Sequence, residues 1–209
     1  KNVCLIGIRD IDNHEREKLP MVAVLTKHTR ALVVGTFGAM ATFVLFYLMT
    51  VFTLSWGTSA LGYTRQDFLV MQIVGVLFFA LTIPISALVA DRVGNRRTLI
   101  VVSVAIIAFG LTFAPLFGSG DRWSVQAFLC LGLGLMGVTY GPIGTALAEL
   151  FPTAVRYTGA SLTFNLAGIF GASLAPYIAT KLATDYGLAY VGYYMSAAGA
   201  VTLLALVVG

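Results

Sequence analysis

The chain has 209 residues, of which 58% are hydrophobic and only 11% charged, with a formal net charge of +4. Soluble domains carry roughly twice that charged fraction, so a water-soluble globular fold is excluded for most of the chain. The positive balance is no nucleic-acid signal, because its placement along the chain follows membrane topology instead.

Residues 1–30 form a polar, charge-mixed segment in which Asp10, Asp12, Glu15 and Glu17 balance the bases. Pro20 marks a break before Met21–Leu25, a stretch suited to an interfacial helix that leads into the first span. A signal-peptide layout is missing, since the first apolar run is too long and begins only at Ala31. From there on, Asp, Glu, Lys, Arg and His are absent from 31–64, 68–90, 98–120, 123–148, 157–180 and 186–209. Each run reaches the length of about 20 residues that a helix needs to cross a ~30 Å hydrocarbon core. One charged side chain at mid-span costs about 2.5–3.5 kcal/mol, so charge-free runs of this length point to membrane spans. The pattern predicts an all-α transmembrane protein with spans near 31–57, 68–90, 98–117, 123–148, 157–180 and 186–209, in contact with the lipid bilayer.

The first span carries Thr42, Phe46, Tyr47 and Thr50. A helix-start signal at Thr64–Asp67 precedes the second, which holds Gln72 and Pro84, the latter expected to kink it. The third is nearly all apolar apart from Gly110 and Pro115. After the turn at Gly118–Arg122, the fourth span is rich in glycine, with Gly132, Gly134, Gly137, Gly141 and Gly144 beside Tyr140 and Pro142. The spacing of four from Gly137 to Gly141 and from Tyr140 to Gly144 fits close packing of one face or the lining of an opening. Asn165, Gly168, Gly171 and Pro176 mark the fifth span, and the turn Lys181–Asp185 precedes the sixth. Connections this short require antiparallel, packed neighbours. Beyond the spacing of spans, no convincing match links 31–117 with 123–209.

With residues 1–30 placed in the cytoplasm, the inside segments hold Lys1, Arg9, Arg16, Lys18, Lys27, Arg30, Arg92, Arg96, Arg97 and Arg156. The outside loops hold only Arg65, Arg122 and Lys181. This positive-inside bias predicts that both ends face the cytoplasm. Cys4 and Cys130, the two cysteines, imply neither a disulfide framework nor a metal site, and no cofactor is expected. The chain stops at Gly209 inside or just past the last span with no flanking base, as a cut chain does.

Two loops carry the motifs. Asp91-Arg92-Val93-Gly94-Asn95-Arg96-Arg97 joins the second and third spans, and Glu149-Leu150-Phe151-Pro152-Thr153-Ala154-Val155-Arg156-Tyr157-Thr158-Gly159 joins the fourth and fifth. The first resembles the cytoplasmic signature of the major facilitator superfamily, except that the glycine expected four residues before the Asp is Ala87. The second resembles that superfamily's Glu-x-Phe-Pro-x-x-x-Arg-x-x-Gly loop, in a form most like the metabolite:H+ symporter group. The resemblance covers 30–209 and implies a six-helix bundle equivalent to the C-terminal half of a twelve-helix carrier, in the bacterial inner membrane. It implies secondary transport of a small metabolite such as an organic acid, betaine or amino acid, coupled to protons, with the N-terminal six-helix half as missing partner. Residues 1–20 do not resemble the family's central loop, which leaves a truncated or misread start open.

In the residues' own chemistry, Asp91 is placed to cap the helix that follows, and Arg92, Arg96, Arg97 and Arg156 to reach Asp91 and Glu149. Such contacts, formed in one state only, act as a conformational latch involving Asp91, Arg92, Gly94, Arg96, Arg97, Glu149, Pro152 and Arg156. The plainer alternative is that the arginines are only topology anchors and lipid-headgroup ligands. Under the resemblance the first and fourth spans line a central cavity, with the second and fifth beside it. Thr42, Phe46, Tyr47, Thr50, Gln72, Tyr140 and Asn165 are therefore the cavity candidates, Phe46 and Tyr47 as a wall for a quaternary amine. Interhelical hydrogen bonding is the rival role for Gln72 and Asn165, and plain packing for the aromatic pair. The spans hold no titratable carboxyl or imidazole, so a proton carrier falls to the other half or to Glu149 or Asp91. Intramembrane protease chemistry is excluded, since His14 and His28 both precede the first span. A six-span channel, a homodimeric carrier and a regulatory fragment stay open as alternatives.

Overall fold

Helix starts follow local chemistry. In the computed structural model, which describes residues 20–209, the Thr64 hydroxyl oxygen accepts the Asp67 N–H at 3.1 Å and donates to its carboxylate at 2.6 Å. Asp121 accepts the N–H groups of Trp123 and Ser124 at 3.1 and 3.0 Å. These caps satisfy backbone donors that the first turn leaves free. Two other helices start at glycines in the left-handed region, Gly94 at φ +102° and Gly187 at +96°, where a side chain would be strained. The expected features of 1–19, including Cys4 and the four bases Lys1, Arg9, Arg16 and Lys18, lie outside the described residues.

The elements are α1 (Pro20–Lys27), α2 (Thr29–Ser59), α3 (Arg65–Val93), α4 (Asn95–Gly110), α5 (Arg122–Glu149), α6 (Arg156–Asp185) and α7 (Leu188–Val208). No strand occurs among the described residues, so the fold is all-α. Helices α2, α3, α5, α6 and α7 are long and apolar enough to cross a membrane. In place of one regular third span, α4 ends at Gly110, turns at Leu111–Thr112, and is followed by a single π-helical turn at Phe113–Phe117 that contains Pro115. Further π-turns interrupt α2 at Leu48–Phe52 and α6 at Ile169–Ser173. Helix α3 passes through Pro84 without interruption, and α5 likewise through Pro142.

Packing divides the long helices into two triplets, α2–α4 and α5–α7, that exchange their middle members. Helix α3 packs along α5 of the other triplet, while α6 packs along α2. The third helices, α4 and α7, pair with each other, and the first helices, α2 and α5, also touch. Swapping the triplets leaves this pattern of neighbours in place. Internal duplication is a common plan in membrane carriers, and here it is carried by packing alone, without a sequence repeat.

Apolar helices gain little hydrophobic drive from meeting in lipid, so small residues and hydroxyls hold these contacts. Gly137 and Gly141 sit where a Cβ would run into the Phe79 and Ile83 carbonyls of α3. In return Thr82 donates to the Gly134 carbonyl at 2.9 Å and Ser86 to Gly137 at 3.3 Å. Between α2 and α7, the Thr202 hydroxyl donates to the Phe37 carbonyl at 2.7 Å and accepts the Ala41 N–H at 3.0 Å. The end of the bundle near Asp121 is closed by buried rings, with Phe128 stacked on Phe109 at 4.7 Å and meeting Phe113 at 4.8 Å. At the other end, α1 buries Val24 against Leu32, Phe151 and Val155, while Met21 and Leu25 stay exposed.

Candidate functional site

On one side of the bundle an open cleft of about 330 Å³ lies between α2, α5 and α6. From α2 come Phe43, Phe46 and Tyr47, from α5 Tyr140, and from α6 Phe164, Asn165 and Ser173. The spacing of three and four residues on α2 aims all three rings at one face. Phe46 and Tyr47 meet edge to face at 5.1 Å, and Phe43 meets Phe164 at 4.9 Å. Tyr140 is braced from behind by Phe79 of α3 at 5.5 Å. The Asn165 amide donates back to the Ser161 carbonyl at 2.8 Å, which fixes its rotamer and leaves its oxygen free to accept. Ring faces, two phenol hydroxyls, a carboxamide and a serine line this surface, and among the described residues no charged side chain does.

Four of the seven cavity candidates, Phe46, Tyr47, Tyr140 and Asn165, are thus brought together. Thr42 is instead buried at 3% exposure. Thr50 spends its hydroxyl on the Phe46 carbonyl at 2.7 Å. Gln72 reaches from α3 to the π-turn of α2, donating to the carbonyls of Met49 at 3.0 Å and Thr50 at 2.9 Å. That turn bonds Thr53 N–H to Leu48, one residue further back than in an α-helix, and so releases the Met49 carbonyl. The Gln72 amide and the Thr53 hydroxyl, which donates to Met49 at 2.7 Å, together fill the gap in the ladder one turn from Tyr47. Phe43 and Phe164 are further cleft residues, and in the sequence the spacing of Phe43 to Phe46 and Tyr47 carries the signal.

The two charged loops meet at the opposite end from Asp121. Their link is Asn95 Nδ2 donating to Glu149 Oε1 at 2.9 Å. Arg96 donates to the carbonyls of Leu206 and Val207 at 2.7 and 3.0 Å, which ties the end of α7 to the start of α4. Arg156 turns back to the Phe151 carbonyl at 3.4 Å. Among the described residues no hydrogen bond joins these arginines to Asp91 or Glu149, and Asp91 leaves the α4 N-terminus uncapped. Asp91, Arg92 and Arg97 are exposed, as is Pro152, which follows the buried Phe151. Phe151 lies on Gly159, whose missing side chain makes room for the ring. Asn95 opens α4, Phe151 lies in the loop and Gly159 in the first turn of α6, and the parts they play are visible only in three dimensions.

At the Asp121 end, hydrogen bonds from the Ser124 backbone, then its side chain and the Trp123 and Arg122 N–H groups, hold the Asp121 carboxyl below its ordinary pKa. Burial, with Asp121 nearby, raises the Tyr63 phenol, which donates to the Gly120 carbonyl at 2.7 Å. Among the described residues no group of three or more His, Cys, Asp or Glu is placed to hold a metal ion.

Comparison with known proteins adds a second line. The family model described as Major Facilitator Superfamily matches residues 9–176. The Inner membrane metabolite transport protein YhjE of Escherichia coli is 49% identical over 90% of this chain and 44% of its own length. A Putative metabolite transport protein of Haemophilus influenzae is 39% identical over 90% of the chain and 45% of its own. The Citrate-proton symporter of Salmonella typhi is 30% identical over 81% of the chain and 39% of its own. The chain spans about half the length of the curated relatives it matches. No solved structure matches it.

Proposed function

Because the chain belongs to the Major Facilitator Superfamily, we propose that it is the C-terminal six-helix half of a secondary transporter that moves a small metabolite by alternating access. The single observation that carries this reading is the aromatic, charge-free cleft of α2, α5 and α6, open on one side and fit to be closed by a second half. Helices α3 and α6, the latter a wall of the cleft, are the least buried of the membrane-length helices, as expected of surfaces that a second half covers in part. The bilayer surrounds the rest, in the bacterial inner membrane, with the Asp91 end in the cytoplasm.

In this reading Tyr47, Tyr140 and Asn165 position the substrate, while the rings of Phe43, Phe46 and Phe164 exclude water and offer their faces to an onium or apolar group. A metabolite carboxylate is paired by the other half, since this surface offers no cation. Proton coupling draws support from relatives named citrate-proton symporters. The proton-carrying group then belongs to the other half, or to Glu149 or Asp91 at the rim. The loops Asp91–Arg97 and Glu149–Arg156 act as the latch, with Asn95 to Glu149 and Arg96 to the α7 carbonyls as contacts of one state. Counterflow in liposomes with a panel of carboxylates, betaines and amino acids, with and without a pH gradient, tests the reading. Tyr47→Ala and Asn165→Ala should raise KM for the transported compound severalfold, and unchanged KM in both would remove the cleft as the binding site.

A further inference from the structure

Arg97, Val101 and Ala105 stand at i, i+4 and i+8 of α4 and so form one stripe along that helix. With Val93 at the end of α3, and Leu135 and Val138 of α5 as floor, the stripe borders an open groove of about 320 Å³. This groove is separate from the transport cleft, which lies on α2, α5 and α6. Its walls are apolar and Val101 is 70% exposed, so nothing from the bundle fills it. Among the described residues the one charge on its lining is Arg97, at the Asp91 end. Arg96 is committed to the Leu206 and Val207 carbonyls and Arg156 to Phe151, whereas Arg97 donates to no described residue.

We infer that this groove holds one acyl chain of an anionic glycerophospholipid whose phosphate sits on the Arg97 guanidinium. An apolar slot ending in a cation matches a glycerophospholipid, whose acyl chains and phosphate lie at those two depths, and a net negative headgroup leaves no second cation to compete with Arg97. The long arginine stem lies along apolar surface while its head reaches headgroup depth, and its planar fork pairs two phosphate oxygens. The inference requires that the chain lie in a bilayer and is independent of what it transports.

The test is native mass spectrometry of the full chain titrated with phosphatidylglycerol or with phosphatidylcholine of the same acyl chains. The expected result is one phosphatidylglycerol retained per chain, with weaker retention of phosphatidylcholine. Arg97→Gln should lower retention ~5-fold, the factor matching about 1 kcal/mol per basic residue at a membrane surface. Val101→Trp, at an exposed position that leaves the core intact, should reduce it by filling the slot. Arg65→Gln at the opposite end should change nothing. Equal retention of both lipids, or retention unaffected by Arg97→Gln and Val101→Trp, overturns the inference. So does displacement by inorganic phosphate alone, which identifies an ion site without a chain groove.

Discussion

Gln72 shows how a carboxamide in an apolar span can be structural. Its two bonds reach carbonyls at a π-turn, and the one that the turn releases, Met49, also accepts the Thr53 hydroxyl at 2.7 Å. An average interhelical hydrogen bond in a membrane contributes ≈ 0.6 kcal/mol. Gln72→Leu, which removes two, is therefore expected to destabilise the bundle by about 1 kcal/mol in detergent unfolding. Thr82→Val, which breaks one bond to Gly134, should cost about 0.6 kcal/mol; equal losses would show that the second Gln72 bond adds nothing. A second residue-scale expectation concerns pH. The Asp121 carboxyl is held below its unfolded pKa by the N–H groups it caps, so its contribution is present above the unfolded value and fades as pH falls through the folded one. Below about pH 4, the thermal midpoint of the parent chain should fall more steeply than that of Asp121→Asn, which caps without titrating. Parallel curves would contradict the assignment.

At the scale of the element, glycines are not interchangeable. Gly141 lies against the Ile83 carbonyl and Ser86 of α3, whereas a Cβ at Gly144 meets nothing within 4 Å. Gly141→Leu should separate α3 from α5 at a cost of about 1–3 kcal/mol, and Gly144→Leu should be neutral for stability; the two unfolding curves check this directly. The charge-free runs and caps made the helices and their order readable in advance, because a bilayer forbids both charge and open backbone at mid-span. The fourth span's glycines likewise announced close packing, though not that α3 was the partner. Two features were not readable. The exchange of α3 and α6 between triplets is set by which small-residue faces meet, and that needs three dimensions. The π-turn at Leu48–Phe52 has no marker in its own sequence, since its partner Gln72 comes from another helix. The polar candidates divided accordingly: hydroxyls that can bond their own helix, such as Thr50, did so, and the cleft went to rings and Asn165.

For the whole molecule, the proposed function makes the loops at the Asp91 end a latch on the rocking of one half against another. Asp91→Lys is expected to abolish transport by the full carrier while leaving membrane insertion intact, and full activity would remove Asp91 from the latch. Asn95→Ala should release Glu149 and shift the balance between inward- and outward-open states, read as altered accessibility of single cysteines placed in the cleft. The central claim is that this chain is one half of a carrier whose substrate lies between halves. Uptake into liposomes that contain the 209-residue chain alone, compared with the same chain joined to an N-terminal six-helix half, tests it most directly. Saturable uptake is expected only when both halves are present. Saturable uptake by the chain alone would contradict it.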